Sequence, residues 1–268
     1  MSVQFPLADV ALARRLEQTE GRGNAAFVEA QAAREPNSGA IWKTIGGTMA
    51  MFAGVGSPMT QTFGLGIHEP LTAPDLDNIE RFFQSRGASV FHEVSPLAGV
   101  DLLGTLAKRG YRPIELSSVL YQPIEGWNAR AANPALTVRA VDRGEADVYA
   151  RLAARGWSES PEVQPFIEGF ARLSLACAAC FVAEMDGTPI AAGAVFLHEG
   201  VALLAGASTV PEGRRQGAQL ALLDTRLRFA ASSGCDLAMM CAAPGSASQR
   251  NAERNGFRIA YTRTKWQL

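Results

Sequence analysis

The stretch VALLAGASTVPEGRRQGAQLALL, residues 201–223, decides how this chain is read. Its first half, Val201 to Val210, carries no charge and is bounded by Gly200 and Pro211, as a mostly buried strand should be. Further on, Leu220, Leu223, Leu227 and Ala231 recur at helical spacing, with Asp224, Arg226 and Arg228 off that stripe, which predicts an amphipathic helix. The turn between strand and helix is Arg214-Arg215-Gln216-Gly217-Ala218-Gln219. At such a helix start the amide hydrogens lack intrahelical acceptors and the helix dipole is positive. An anion, most naturally a phosphate, can dock on those amides with guanidinium groups adding charge. Gly217 lets the backbone approach that anion closely. An ordinary strand-to-helix connection with solvated arginines has the same spacing, so the turn alone does not settle the matter. No Gly-Lys-Ser/Thr follows the glycine and no Gly-x-Gly-x-x-Gly occurs, which leaves P-loop and dinucleotide folds without support.

Composition narrows the class. The 268 residues suffice for two modest domains or one large one, and 47% apolar content supplies a substantial core. A net charge of −1 gives no broad field for nucleic acid or an anionic membrane. No apolar run approaches the ~20 residues of a bilayer span. Asp9 and Arg14-Arg15 interrupt the amino-terminal apolar stretches, unlike a secretory signal. A cytoplasmic protein without nucleic-acid or membrane partners is expected, its oligomeric state left open, a homo-oligomer included.

Cys177 and Cys180 form a Cys-x-x-Cys, but a structural zinc site needs four ligands, and His68, His92 and His198 are isolated. The pair lies in Leu-Ala-Cys-Ala-Ala-Cys-Phe-Val, where cysteine behaves as a small buried hydrophobe. No metal is expected.

Residues 126–135, rich in Gly, Asn and Pro, read as a linker between two halves. After it, Leu136–Ala140 reads as a strand, Asp142 as the cap of a helix to about Arg155, and Ser160-Pro161 as the start of a second helix. Strands over Ala179–Glu184 and Ile190–His198 flank an Asp186-Gly187 turn. The long helix ends at Gly234, followed by a strand over Asp236–Cys241, a helix over Ser246–Asn255 and a strand over Ile259–Trp266. The first half repeats this plan weakly. Thr44–Ala53 and Thr60–Ile67 read as strands, Pro74 opens a helix with Leu76, Ile79 and Phe83 on one stripe, and Val90–Val94 is a strand. Leu102, Leu103 and Leu106 lie on a helix ending in Lys108-Arg109-Gly110-Tyr111-Arg112, comparable with Arg254-Asn255-Gly256-Phe257-Arg258. No Arg-x-x-Gly turn occurs in this half.

The turn at 214–219, the helix after it and the Ser248–Phe257 element resemble the GCN5-related N-acetyltransferase (GNAT) family. That family's pyrophosphate loop reads Gln/Arg-x-x-Gly-x-Gly/Ala; Arg214, Gly217 and Gln219 occupy its positions, Gln219 departing from the usual Gly or Ala. The resemblance implies a mixed α/β (α+β) fold, a mostly antiparallel sheet flanked by helices, in two tandem halves. It implies a degenerate GNAT-like domain over 1–125 and an acyl-CoA-binding domain over 136–268. Acetyl-CoA would run beside Ala207, Ser208 and Thr209, rest its pyrophosphate on Arg214, Arg215, Gln216, Gly217, Ala218 and Gln219, and meet Ser248 and Asn251 on the next helix. The implied activity is direct attack of a small-molecule or amino-acid-like amine on acetyl-CoA. The family's usual acid, a Tyr four residues before the Gly of Gly-Phe, is Ala252 here, and Tyr261 reads as a packed aromatic. Candidate bases are His198-Glu199, Glu159, His68-Glu69 and His92-Glu93, none compelling. A catalytically idle CoA-binding module and, less favoured, an aminoacyl transferase are the alternatives.

Overall fold

A computed structural model describes residues 4–127 and 133–268, so the linker positions 128–132 lie outside the described residues. The chain divides into two compact units. One comprises residues 123–238; the other joins residues 5–122 to residues 239–268. The sequence halves are therefore not the structural units: the carboxy-terminal segment, expected with the second half, completes the first. Hydrogen-bond pairing between distant strands fixes this, and local periodicity carries no trace of it.

In the unit of residues 5–122 and 239–268, helix α1 (Val10–Arg34) is followed by strands β1 (Ile41–Ile45), β2 (Thr48–Phe52) and β3 (Gln61–Phe63). Then come α2 (Ala73–Gln84), β4 (Phe91–Val94), α3 (Val100–Lys108) and β5 (Arg112–Pro123). The chain returns to this unit with β10 (Leu237–Ala242), α7 (Ala247–Arg254) and β11 (Arg258–Gln267). The strand order is β1-β2-β3-β4-β11-β5-β10. β11 runs antiparallel to both β4 and β5, and β3 pairs parallel with β4 at Thr62 and His92. β2 is buried on both faces. Its alternation sends Ala50 and Phe52 toward Leu76, Ile79 and Phe83 of α2, and Met49 and Met51 toward Ala25 and Val28 of α1.

The single strand expected over Thr44–Ala53 is a hairpin. Gly46 and Gly47 adopt φ of 51° and 69°, the left-handed pair that a two-residue type I′ turn requires. The strand expected over Thr60–Ile67 shortens to three residues. Helix α2 starts as expected, with Thr72 and Asp75 exchanging capping bonds ahead of it.

In the unit of residues 123–238, β6 (Leu136–Ala140) leads through a short 3₁₀ turn into α4 (Ala146–Arg155), and another at Pro161–Val163 leads into α5 (Gln164–Cys177). The side chain of Ser160 makes no cap. Strands β7 (Ala179–Met185), β8 (Thr188–His198) and β9 (Val201–Thr209) and helix α6 (Ala218–Ser232) follow. β6, β7, β8 and β9 pair in that order, all antiparallel. Tyr149, Leu152 and Ala153 of α4, Val182 of β7, Val195 of β8 and Leu222 and Leu227 of α6 are among its buried core residues. All four cysteines are free thiols; Cys180 and Cys235 are buried, Cys177 and Cys241 half-buried.

Candidate functional site

Strand β9 is irregular where the sequence places its ligand-facing residues. Ala192 pairs with Ser208, but Ala194 pairs with Ala205, so the single residue Gly193 of β8 stands opposite Gly206 and Ala207. This is a β-bulge, and Gly206 takes the left-handed conformation it needs, φ 62°. Gly206 and Ala207 are exposed and Ser208 is buried. The Ser208 hydroxyl donates to the Ala153 carbonyl of α4 at 2.9 Å.

The turn after β9 has the form the sequence predicts. A 3₁₀ turn at Pro211–Gly213 leads to Arg215, at φ 61°, and Gly217, at φ 88°, which opens α6. No side chain caps this helix. Its first intrahelical bond runs from the Ala221 amide to the Gly217 carbonyl at 3.0 Å, so the amides of Gly217, Ala218, Gln219 and Leu220 have no acceptor within the helix. The side-chain amide of Gln219 donates to Thr209 Oγ1 at 2.7 Å, and that of Asn133 to the Gln216 carbonyl at 3.1 Å. Gln219, the departure from the family pattern, thus ties the turn back to β9.

Two arginines at the turn are already partnered. Arg214 pairs with the Glu159 carboxylate and reaches the Gly156 carbonyl at 3.4 Å, while Arg155 pairs with Glu212. Arg215 and Gln216 project into solvent. Glu159 therefore sits on the arginine expected to serve an anion.

Arg226, placed by periodicity off the apolar stripe, is only 4% exposed. The buried face of α6 runs through Ala218, Leu222, Arg226 and Ala230 as well as Leu223 and Leu227, while Ala231 is exposed. The Arg226 guanidinium donates to the carbonyls of Leu222, Ala194 and Ala205. Burial lowers its pKa to about 10, so it stays charged at neutral pH. A polar residue inside an apolar helix face was the signal available in the sequence.

Ser248 and Asn251 are exposed on α7, in the unit that does not contain the turn. The hydroxyl at that helix start belongs to Ser246, which accepts from the Gln249 amide at 3.1 Å. Ala252 is buried and Tyr261 donates to Glu17 at 2.8 Å, a packed aromatic as expected. His92 is fully buried between Thr62 Oγ1 at 2.8 Å and the Tyr111 hydroxyl at 3.0 Å, and burial pushes its pKa down to about 3. Glu93 is ion-paired with Arg263 at 2.9 Å. Both are engaged in contacts within their own unit. Among the described residues no cluster of three His, Cys, Asp or Glu could hold a metal, and no helix is long and apolar enough to cross a membrane.

No protein-family model and no curated protein matches this sequence. Solved structures do. A GCN5-related N-acetyltransferase from Kribbella flavida superposes with a TM-score of 0.62 at 19% identity, over 91% of this chain and 95% of that one. A tandem GNAT protein from the clavulanic acid biosynthesis pathway gives 0.60 at 14% identity, over 90% and 87%. A GCN5-related N-acetyltransferase from Sphaerobacter thermophilus gives 0.56 at 14% identity, over 100% and 95%. With its mixed, mostly antiparallel strands flanked by helices, the chain has the fold of the GCN5-related N-acetyltransferases.

Proposed function

We propose that this protein is an acetyl-CoA-dependent N-acetyltransferase for a small-molecule or amino-acid-like amine, with its acyl-CoA site in the unit of residues 123–238. The observation that carries the reading is the junction of β9 and α6: a bulge exposing Gly206 and Ala207, then a helix start with no side-chain cap and Gly217 at φ 88°. Free amides at a helix N-terminus suit a pyrophosphate. Backbone amides beside Ala207, Ser208 and Thr209 suit the amide-bearing arm that follows it. The first half has no such turn and is assigned no CoA.

In the reaction, the lone pair of a neutral amine attacks the thioester carbon. The new C–N bond replaces the C–S bond, the amine loses a proton, and the departing thiolate is protonated. Polarising the thioester carbonyl by backbone donors is the protein's main contribution. With Ala252 in the place of the acid, the thiolate leaves with a proton from solvent. That substitution favours a second reading, a CoA-binding module without transferase activity.

The test is thermal melting with and without acetyl-CoA, for the wild type and Gly217→Glu. Ligand at ~100-fold its dissociation constant stabilises by about 2.7 kcal/mol. At about 2–4 °C per kcal/mol this is a rise of several degrees. A rise that Gly217→Glu abolishes supports the site; no rise in the wild type overturns it. Acetyl transfer against an amine panel separates the two readings.

A further inference from the structure

Arg226 stands apart on its helix. It is a fully charged group, 4% exposed, in a helix face otherwise made of Ala and Leu. Among the described residues, its hydrogen-bond partners are three backbone carbonyls and no carboxylate. A buried charge without a counter-ion is costly to desolvate, and what offsets that cost here is three backbone carbonyls that lose a donor without it. The reason to keep an arginine here therefore lies in the backbone it holds.

The two sheet carbonyls that Arg226 holds, Ala194 on β8 and Ala205 on β9, are the register partners at which regular pairing resumes beside the bulge. The residue of β8 facing the guanidinium is Gly193, where a β-carbon would lie 3.2 Å from Cζ. The missing side chain at Gly193 and the guanidinium thus occupy the same space. On the strand, the carbonyl turned toward Arg226 immediately precedes Gly206 and Ala207, the two exposed bulge residues.

We infer that Arg226 is a positioning residue for acyl transfer: by holding the Ala205 carbonyl it fixes the Gly206–Ala207 backbone in the orientation that receives the thioester. This rests on the acyl-CoA reading above and deepens it. The guanidinium also polarises the peptide group whose carbonyl it binds, making the Gly206 amide a better donor.

The experiment uses [1-¹³C]acetyl-CoA, labelled at the thioester carbonyl, bound to the full chain. Infrared difference spectra are recorded for the wild type, Arg226→Met, Arg226→Lys and Gly193→Ala, and affinities for CoA and acetyl-CoA are measured by calorimetry. In the wild type the bound carbonyl band lies below its position in water. Arg226→Met binds CoA within about twofold of the wild type, because the 214–219 turn is intact, but loses most of the downshift. Arg226→Lys retains part of it. Gly193→Ala, which crowds the guanidinium from β8, loses part of it and serves if Arg226→Met does not fold.

A downshift unchanged in Arg226→Met, or in Gly193→Ala if that variant must serve, overturns the role of Arg226 and leaves the acyl-CoA site standing. So does the absence of any downshift in wild-type protein that binds acetyl-CoA. Failure of the wild type to bind either ligand overturns the acyl-CoA reading itself, and this inference with it.

Discussion

Gly156, at the end of α4, lies so close to Ser208 of β9 that a β-carbon on it would sit 2.4 Å from the serine's Cβ. The same β-carbon would be 3.0 Å from the Thr209 amide nitrogen. The strand assigned to the acyl-CoA arm is therefore seated directly on the α4 terminus. Gly156 has an ordinary right-handed helical backbone, so its small size and not its flexibility is what the position requires. Gly156→Ala should displace Ser208 and Thr209 and destabilise by about 1–3 kcal/mol, as overpacking does. Urea denaturation would read the loss, and acetyl-CoA affinity should fall with it. Unchanged values for both would show that the contact relaxes without reaching β9.

The pairing of Arg214 with Glu159 makes a prediction of opposite sign for binding. Glu159 is 78% exposed on its side chain and Arg214 37%, so the pair contributes little to stability, within about 1 kcal/mol. It does compete with an anion for the guanidinium. Glu159→Gln should tighten CoA binding several-fold at low salt with little change in Tm. The gain should shrink as ionic strength rises, because exposed charges are screened. Calorimetric titration at two salt concentrations checks both statements.

Glu17 predicts a pH dependence. It is buried in the unit of residues 5–122 and 239–268, with Tyr261 donating to Oε1 at 2.8 Å and Arg263 at 3.5 Å. Burial outweighs Arg263 and raises its pKa from 4.5 to about 7. The folded state therefore holds a proton that the unfolded chain has released above 4.5. Its contribution is fully present below pH 4.5 and is lost as pH rises through about 7. Glu17→Gln imitates the protonated form, so it should remove this part of the slope and raise Tm relative to the wild type above neutrality. Melting curves across that window decide; parallel curves would place the proton elsewhere.

Arg263 is the hub of the same cluster, meeting Glu20 at 2.7 Å and Glu93 at 2.9 Å as well as Glu17. It is 2% exposed. Removing it leaves carboxylates buried without their cation, which costs about 3–5 kcal/mol. Arg263→Met should show that loss by denaturant unfolding, and Glu17→Gln added to it should recover part. Simple additivity of the two changes would show that the side chains act independently.

The sequence was legible wherever the signal is local. The strand read over Val201–Val210 forms over Val201–Thr209, Gly217 stands at the start of α6, and the Asp186-Gly187 turn joins β7 to β8. Helix α1 is not legible in the sequence because its buried face includes Glu17, Thr19, Gly21 and Gly23 beside Ala13, Leu16, Ala25 and Val28, so no apolar stripe emerges. Gly21, which looks like a helix breaker, lies against β2 and β3: a β-carbon on it would meet Met49 Cε at 2.0 Å and Phe63 Cβ at 3.2 Å. Arg226 is hard to place for the converse reason. A charged residue was assigned to solvent, although its four-residue spacing from Leu222 places it on the buried side. The bulge at Gly193 and Gly206 depends on register between strands, which one strand's sequence does not encode.

The place of β11 has a temporal meaning. It lies between β4 and β5, so the sheet of residues 5–122 has a gap at its centre until residues 258–267 arrive. On the ribosome, residues 123–238 emerge with their β6–β9 strands and α4–α6 helices complete before that gap can close. Residues 5–122 are thus made before residues 123–238 but finished after them, and the buried Glu17 and half-buried Glu20 wait for Arg263 to be synthesised.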